Sequence, residues 1–474
     1  MKINRNMSAV TANNQLLRTE GRLQLSMQKL SSGYKINSAE DNPAGMAISN
    51  KMRAQIDALD QAKSNASDAQ NVMEIADGAL NEISDILQRM RELSVQAAND
   101  TNTADDKRAI QDEIDELKKE VDRISGDTEY NTKTLLDGSS DTRVYTRELD
   151  AAGNASLSNN SITRINMSDK VEFDKYELTV NSLGESAKAT IANGTKPQAG
   201  TLSINGVTLK VTEEMSQDEY IQELQKTASM AGTEMKIEDT GEISFTSTLI
   251  GEKSVVEITL SNELSDLAGA SYQEDEEGNF VAKDIGKNAE VKAGNNFTDT
   301  TISTDGNRVY VVGNNGFTMD FLLNSDIDMT AGAKNFQIDV TDIGNMTIQI
   351  GANQYQQMKV RIPEISVESM YLDTVDVTIA GGTDRALDTL DEAIAYTTQV
   401  RSRIGAFQNR LDYASNSLGE TSEDMTGAYS NLMDTDMAAE MTEYSAQNIL
   451  DQAGISVLSQ ANDLPQQVLS LLSK

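Results

Sequence analysis

Carboxylates are the side chains in this sequence with the most obvious chemical potential, because histidine and cysteine are both absent. Without them the chain cannot build a histidine-based catalytic triad or a zinc site with histidine or cysteine ligands. The acidic run at 274–279 is typical of a solvated turn. Asp434-Thr435-Asp436 lacks the glycine and the further ligands of a calcium loop, and is typical of a helix start. These residues argue against an enzyme, and we expect no cofactor or metal.

The composition narrows the class of protein further. The 474 residues carry a net charge of −35, and aromatic residues make up 4% of them. Such an acidic chain is a poor nucleic-acid binder, and the scarcity of aromatics favours thin helical bundles over one thick core. The sequence contains no run typical of a membrane span or of a secretory signal. If the protein is exported, we expect a route that removes no signal peptide.

Apolar residues at alternating spacings of three and four indicate coiled-coil seams. The longest seam consists of Leu59, Ala62, Ala66, Ala69, Met73, Ala76, Leu80, Ile83, Leu87 and Met90. A second seam consists of Ile404, Phe407, Leu411, Ala414 and Leu418. A shorter helix carries Ile110, Ile114, Leu117, Val121 and Ile124. We expect these stripes to pack on each other or on another copy of the chain.

The two ends form a further matched pair. Residues 1–35 have six basic side chains against one acidic, whereas residues 432–474 have six acidic against one basic. The first stripe consists of Leu16, Leu23, Met27 and Leu30, and the last consists of Leu450, Ala453, Val457, Ala461, Leu464, Val468 and Leu471. Opposite charges predict that the two helices pair, within one chain or between copies. The alternative is two unrelated amphipathic ends.

Breaks in the helical pattern mark the other elements. Two glycines and a proline predict a non-helical connector over 33–45. From about residue 139 the sequence becomes rich in Ser, Thr, Asn and Gly, with period-two alternation. The Asn-Gly pair within 202–211 predicts a hairpin. Further β structure is predicted at 257–260, 308–312 and 346–371, before a helix that begins near Asp384.

Long motifs at both ends resemble bacterial flagellins. In the N-terminal part these are LSSGYKINSAEDNPAGMAIS (30–49), LQRMRELSVQAANDTN (87–102) and IQDEIDELKKEVDRIS (110–125). In the C-terminal part they are RIGAFQNRLDYASNSL (403–418), DTDMAAEM (434–441) and ILDQAGISVLSQANDLPQQVLSLL (449–472). Together the matching stretches and their surroundings cover roughly half the chain, in the order of the family.

The resemblance implies a mixed, mainly α fold, with a long α-helical coiled-coil or bundle rod formed by both termini and a β-rich variable domain inserted in the middle. The implied domains are a terminal helix, 1–44, paired with 432–474 as a filament-core domain; a helical rod, 45–138 and 342–431, with a β-hairpin at 346–371; and a variable β-rich outer domain, 139–341. It implies a structural subunit that self-assembles into the extracellular flagellar filament for swimming motility.

The sequence departs from the family pattern in several places. Thr132 stands where flagellins usually have a glycine after asparagine. The stretch YSNLMDTDMA, which ends at 438, replaces a more basic one. In some flagellins the hairpin that resembles 346–353 precedes the variable insert, whereas here the insert, of about two hundred residues, comes before the hairpin. The resemblance therefore implies that the insertion point of the variable domain is shifted to just after Gly138.

The resemblance also implies partners. Besides further copies of the chain, these are junction and cap proteins, a flagellar export chaperone at the C-terminal segment, and the flagellin-sensing Toll-like receptor. The receptor surface maps onto Arg89, Leu93 and Glu113, and we expect Leu93 to be partly exposed because it lies off the seam. Intracellular flagellin sensors would read the C-terminal leucines Leu469, Leu471 and Leu472, for which seam packing is the simpler explanation.

Two alternatives to a filament subunit deserve comparison. A hook–filament junction protein of the same superfamily would carry similar helical seams, so the seams do not distinguish it. Some flagellins resemble metallopeptidases in their middle region, but those enzymes need a His-Glu-x-x-His helix. A chain without histidine cannot provide that helix.

Overall fold

The computed structural model describes most of the chain, and the side chains are described as far as Leu464. The described ranges are 6–99, 101–149, 155–157, 161–168, 170–191, 199–238, 242–269, 271–275, 278–297, 299–330 and 332–472.

Within these ranges the chain forms six α-helices, which dominate both ends. They are α1 (Met7–Ser32), α2 (Pro43–Ala97), α3 (Ala104–Asp127), α4 (Gln217–Met230), α5 (Gly382–Met433) and α6 (Met437–Leu472). Two short 3₁₀ helices span Asn262–Leu267 and Leu372–Thr374. None of the described helices is long and apolar enough to cross a membrane.

Local sequence signals explain where several helices begin and end. The side chain of Asn6 accepts a hydrogen bond from the backbone of Ala9 at the start of α1, and Gly33 ends that helix with a φ of 77°. This left-handed conformation is one that glycine adopts without strain. Thr103 and Asp106 bond reciprocally at the start of α3, as a capping box. The connector between α1 and α2 is non-helical, as the sequence predicts.

The middle of the chain is strand-rich. The described strands are β1 (Glu129–Tyr130), β2 (Lys133–Thr134), β3 (Val144–Leu149), β4 (Ala155–Leu157), β5 (Ile162–Met167), β6 (Lys175–Ser182), β7 (Lys188–Ile191), β8 (Gly200–Ile204), β9 (Val207–Val211), β10 (Thr233–Ile237), β11 (Ile243–Ser247), β12 (Val255–Leu260), β13 (Gln273–Glu274), β14 (Phe280–Ile285), β15 (Glu290–Ala293), β16 (Thr300–Asp305), β17 (Arg308–Gly313), β18 (Thr318–Leu323), β19 (Lys334–Val340), β20 (Met346–Gln349) and β21 (Gln357–Val360).

Two pairs, β1-β2 and β20-β21, form separate two-stranded sheets, and the other strands form two modules, one nested inside the other. The outer module, 144–184 and 288–340, contains the sheets β15-β6-β19-β3-β4 and β16-β17-β18-β5 around one apolar core. The inner module, 186–286, contains the sheets β13-β14-β12-β8-β9 and β10-β11-β7 with α4, around a second core. An antiparallel bridge between Glu185 and Lys287 closes the base of the inner module.

The contacts divide the chain into two compact units. The first unit contains 1–69, 348–358 and 410–474, and the second contains 70–347 and 359–409. The division falls inside α2 and α5. The domain boundaries implied by the family resemblance remain a prediction, because they rest on the family's organisation.

The predicted seams agree well with the burial of side chains. Every residue of the longest seam is buried, and in α5 all but the half-buried Ala414 are buried. The Asn-Gly hairpin is confirmed as β8 and β9. The hairpin predicted over 346–371 is present as β20 and β21, but its predicted extent is wrong, because the second strand ends at Val360. The helix α4 lies in a region for which the sequence predicted β structure.

Candidate assembly and recognition surfaces

The terminal helices α1 and α6 pair within the chain through polar and small residues. The Nδ2 of Asn6 donates a hydrogen bond to the carbonyl of Ala461 at 2.8 Å. The Oγ of Ser26 donates to a carboxylate oxygen of Glu440 at 2.6 Å, and Lys29 lies 3.6 Å from the other oxygen. These contacts join the basic end of the chain to its acidic end, as the charges predict.

The side of α6 that faces α1 differs from the predicted stripe. Its buried and half-buried positions are Glu440, Tyr444, Gln447, Asn448, Asp451, Gly454, Leu458 and Ala461, and all of them except Asn448 follow a regular spacing of four and three. A Cβ at Gly454 would lie only 3.2 Å from Leu16 of α1, so glycine permits the close approach of the helices. The α6 residues that face α1 are therefore largely polar or small, and the pattern of apolar residues in the sequence does not identify them.

Much of the apolar surface of both terminal helices is exposed. In α1 the exposed large apolar side chains are Met7, Val10, Leu17, Leu25 and Met27. In α6 they are Met437, Met441, Ile449, Leu450, Ile455, Val457 and Leu464. Of the predicted α6 stripe, Ala461 is buried, whereas Leu450, Ala453, Val457 and Leu464 are exposed, so pairing of these four within one chain is wrong and their pairing between copies stays a prediction. The side chains of Val468 and Leu471, the other members of the stripe, lie outside the described residues. Met27 is likewise exposed, whereas Leu16, Leu23 and Leu30 are half-buried.

Backbone hydrogen bonds join the connector after α1 to the turn between α5 and α6. The N–H of Lys35 donates to the carbonyl of Met433 at 2.7 Å, and the N–H of Thr435 donates to the carbonyl of Gly33 at 2.9 Å. The carboxylate of Asp436 accepts hydrogen bonds from the first backbone N–H groups of α6. The acidic cluster is thus a helix start, as predicted from the interaction of carboxylates with a helix N-terminus.

The predicted receptor residues lie on α2 and α3, where two of them form an exposed ion pair. The Nη2 of Arg89 lies 2.8 Å from the Oε1 of Glu113, and the two side chains are 50% and 48% exposed. Arg89 also bonds Glu92 at 3.4 Å. The hydrogen bond that Arg89 donates to the Glu113 carboxylate raises the pKa of the Arg89 guanidinium. This patch presents both a cation and carboxylates to solvent.

The predicted exposure of Leu93 is wrong, since this side chain is only 2% exposed. The reason is that α2 has neighbours on two sides in the second unit. Arg89 reaches Glu113 on α3, while Arg91 lies 2.6 Å from Asp391 on α5. A helix that packs on two neighbours buries a wider face than a two-helix seam, and Leu93 belongs to that wider face.

The structure does not describe the side chains of the predicted C-terminal sensor leucines. The backbone of α6 is helical as far as Leu472, but Leu469, Leu471 and Leu472 lie outside the residues whose side chains are described. Their role stays a prediction.

Sequence reasoning missed a cluster of arginines and their carboxylate partners in the second unit. The Nη1 of Arg308 lies 2.6 Å from Glu392 of α5, and its Nη2 lies 3.3 Å from Asp320. Arg164 makes two hydrogen bonds to Asp373. Arg164 and Asp373 are 209 residues apart in the sequence, so no local motif identifies the cluster. The cluster ties the outer module to α5 and to the segment before it.

Among the described residues no group of acidic side chains is arranged to hold a metal ion. Asp275 instead accepts a hydrogen bond from the backbone of Asn279 at 2.8 Å, which closes the turn there. Carboxylates of both acidic stretches that the sequence singles out, 274–279 and 434–436, thus take part in local backbone hydrogen bonds.

Comparison with known proteins identifies the family. The N-terminal helical region of bacterial flagellin matches residues 3–141, and the C-terminal helical region matches residues 387–472. A flagellin from Clostridium tyrobutyricum is 32% identical, with 98% of this chain and all of the relative covered. A flagellin from Salmonella rubislaw is 30% identical, with 99% of each chain covered.

Solved structures show weaker similarity. A flagellar hook-associated protein from Legionella pneumophila has a TM-score of 0.31 at 15% identity, and covers 81% of this chain and 98% of its own. FliC from Burkholderia pseudomallei has a TM-score of 0.24 at 16% identity, with 72% and 99% covered. The sequence matches carry the assignment: the chain belongs to the bacterial flagellin family, and is a structural subunit of the extracellular flagellar filament, not an enzyme.

Proposed function

We propose that the chain self-assembles into a helical filament by burying the outer faces of α1 and α6 against other copies of itself. The observation that carries the proposal is the exposed apolar surface that remains after these two helices have paired. Full burial of a Leu, Val, Ile or Met side chain contributes about 1.5–3 kcal/mol, so each half-exposed one would contribute about 1 kcal/mol on assembly. Repeated over many residues, this gain can offset the entropy lost on association.

Deletion of either end tests the proposal. Chains lacking 1–35 or 440–474 are expected to remain soluble, to keep the helices of the second unit, and not to elongate on filament seeds. Electron microscopy and sedimentation measure elongation. Filaments formed by either truncated chain would contradict the proposal.

A point variant gives a sharper test. Val457→Glu places a charge on the outer face of α6 and is expected to block elongation, with little change in monomer melting. Leu157→Glu is the matched control, since Leu157 is also an exposed apolar residue and lies outside both terminal helices. Elongation should survive the control change. Equal loss of elongation in the two variants would show that charge itself, and not the site, is responsible.

The alternative, a hook–filament junction protein, makes a different prediction. A junction protein would not elongate indefinitely on seeds of its own kind, whereas a filament subunit would. The full-length matches to proteins named flagellin support the filament subunit.

The remaining partners follow from the same role. We expect export without cleavage of a signal peptide, an export chaperone that holds the C-terminal segment, and contacts with junction and cap proteins at the filament ends. The chaperone proposal is supported by the exposed apolar side chains of α6, which an unassembled chain would otherwise present to solvent. Copurification of the C-terminal segment with the chaperone would test it.

Recognition by the flagellin-sensing Toll-like receptor is a second proposed function. It is supported by the exposed Arg89–Glu113 pair, whose two side chains come from adjacent helices of the second unit. Arg89→Ala is expected to weaken binding to the receptor ectodomain about tenfold or more, because a central arginine commonly dominates such interfaces. Monomer melting should hardly change, because an exposed ion pair contributes little to stability.

Leu93 takes a different role in this proposal. Its side chain lies in the core, so Leu93→Ala is expected to lower the melting temperature and to affect the receptor only through the helix packing. The matched control for Arg89 is Arg123→Ala, which removes another exposed arginine with carboxylate partners on α3. Unchanged binding by the Arg89 variant would remove this surface from the receptor site.

A further inference from the structure

Tyr355 combines two features that are costly for an isolated chain. It lies at the tip of the hairpin formed by β20 and β21, where its side chain is 84% exposed. Its backbone φ is 68°, in the left-handed region that side chains with a Cβ seldom adopt. Strained residues of this kind persist where the surrounding structure enforces them, and they concentrate at sites of function.

The loop around Tyr355 is held by two glutamines. The Nε2 of Gln349 donates hydrogen bonds to the carbonyls of Gly351 and Asn353, at 2.7 and 2.9 Å. The Oε1 of Gln356 accepts a hydrogen bond from the N–H of Asn353 at 2.9 Å. The tip is therefore a preorganised turn, and it presents the tyrosine in one backbone conformation.

The hairpin tip is also anchored to its own unit. The Nδ2 of Asn65 on α2 donates to the carbonyl of Gln349 at 3.2 Å. Ala352 packs against an apolar cluster that includes Leu59 and Leu418. Nothing in the described part of the chain hydrogen-bonds or stacks on the Tyr355 ring. The packing thus holds the loop in place while the ring itself stays in water.

We propose that Tyr355 is an aromatic anchor that a second copy of the chain buries in the assembled filament. The tip belongs to the same compact unit as α1 and α6, and the chain is a filament subunit, so a further copy of the chain is the partner available to cover the ring. Tyrosine is a common anchor at protein interfaces, because it offers a large contact area at a small cost in conformational entropy. The proposal rests on the proposed self-assembly.

The test separates the ring from the backbone strain. Tyr355→Asn removes the ring, and asparagine tolerates the left-handed conformation. Its critical concentration for elongation on parent seeds is expected to rise about tenfold or more, the effect of losing a central anchor. Its monomer should melt at the same temperature as the parent or higher. Tyr355→Phe keeps the ring, and the matched control Gln354→Ala changes its exposed neighbour; both should elongate like the parent.

Two results would overturn the assignment. One is normal elongation by Tyr355→Asn, and the other is earlier melting of its monomer, which would make the ring a stabiliser of the loop. A direct readout is nitration by tetranitromethane, which should modify Tyr355 in monomers and spare it in filaments. Equal nitration in both states would show that no copy covers the ring. A parent chain that fails to elongate on seeds would instead contradict the proposed function itself.

Discussion

The guanidinium carbon of Arg308 lies 4.0 Å from the centroid of the Tyr371 ring, in cation–π contact. The same arginine pairs with Asp320, which is largely buried and whose pKa is raised by that burial. Tyr371 has a φ of 57°, so the contact fixes a strained residue. The outer module and the segment before α5 therefore meet at a site that combines an ion pair, a cation–π contact and a residue with a strained backbone, and Arg308 takes part in the first two.

Removal of Arg308 should strongly destabilise the second unit. Arg308→Met leaves Asp320 without its cation, and we expect a loss of about 3 kcal/mol in the free energy of unfolding. Arg308→Met combined with Asp320→Asn should recover most of the loss. Arg123→Met on the surface of α3 is the control, with an expected effect below about 0.5 kcal/mol. Denaturant titration measures all three, and equal effects at Arg308 and Arg123 would contradict the argument.

Thr132 should be a position where glycine stabilises the protein. Asn131 and Thr132 have φ values of 50° and 67° and connect β1 to β2, so they form the two-residue turn that favours Asn-Gly. Threonine is β-branched and strained there. Thr132→Gly should raise the free energy of unfolding by about 1 kcal/mol, and Thr132→Ala should raise it less because a Cβ remains. A destabilised Thr132→Gly protein would show that the turn is not strained.

Acid should weaken the connector between α1 and α2 through Asp41. The Asp41 carboxylate accepts hydrogen bonds from the N–H groups of Ser38 and Asn37, at 2.9 Å each, and these bonds lower its pKa. Because the folded pKa lies below the unfolded value of about 3.9, the stabilisation is complete above that pH and is lost as the pH falls toward the folded pKa.

The measurement for Asp41 is the difference in melting temperature between the parent and Asp41→Asn at a series of pH values. The parent should have its full advantage above about pH 5, and the difference should shrink below about pH 4. A difference that grows with acid would have the wrong sign and would contradict the assignment.

The inner module should be removable without unfolding the outer module. Glu185 and Lys287 exchange both backbone hydrogen bonds, at 2.8 and 3.0 Å, and are therefore a pair that a two-residue turn can close. Replacing 186–286 by Asn-Gly should leave the core that contains Phe321 and Phe336 intact. Circular dichroism should show all the long helices and a cooperative melt. Loss of cooperative melting would show that the two modules fold as one.

Periodicity predicted the long helices well because every residue of the α2 seam, from Leu59 to Met90, is buried in the folded chain. It failed at Leu93 because α3 widens the buried face of α2, and spacing along one helix does not reveal a second neighbour. It failed on α6 for another reason. The side that faces α1 contains Gln447 and Asp451, so hydrophobicity pointed to the opposite, exposed side.

Some of what was missed had a signal in the sequence. The helix α4 begins with Ser216 and Glu219 in a reciprocal capping box, and its buried residues Tyr220, Leu224 and Thr227 follow helical spacing. The strain at Tyr355 had no such signal, because a left-handed tyrosine results from the closure of a particular loop. The candidate assembly surface was thus predictable in its location, at the two ends, but not in its orientation.

The bridge at Glu185 and Lys287 has a consequence for how such a gene can change. The hundred or so residues between them leave and rejoin the outer sheet at one point, so the strands on either side keep their register whatever lies between. Recombination that exchanged the DNA for this stretch would keep that junction, but it would also have to restore the hydrogen bond from the N–H of Ala380 to the carbonyl of Met230 and the ion pair of Lys253 with Asp305. An exchange that met these three conditions would change the surface formed by 186–286 and leave the sequence of the long helices as it was.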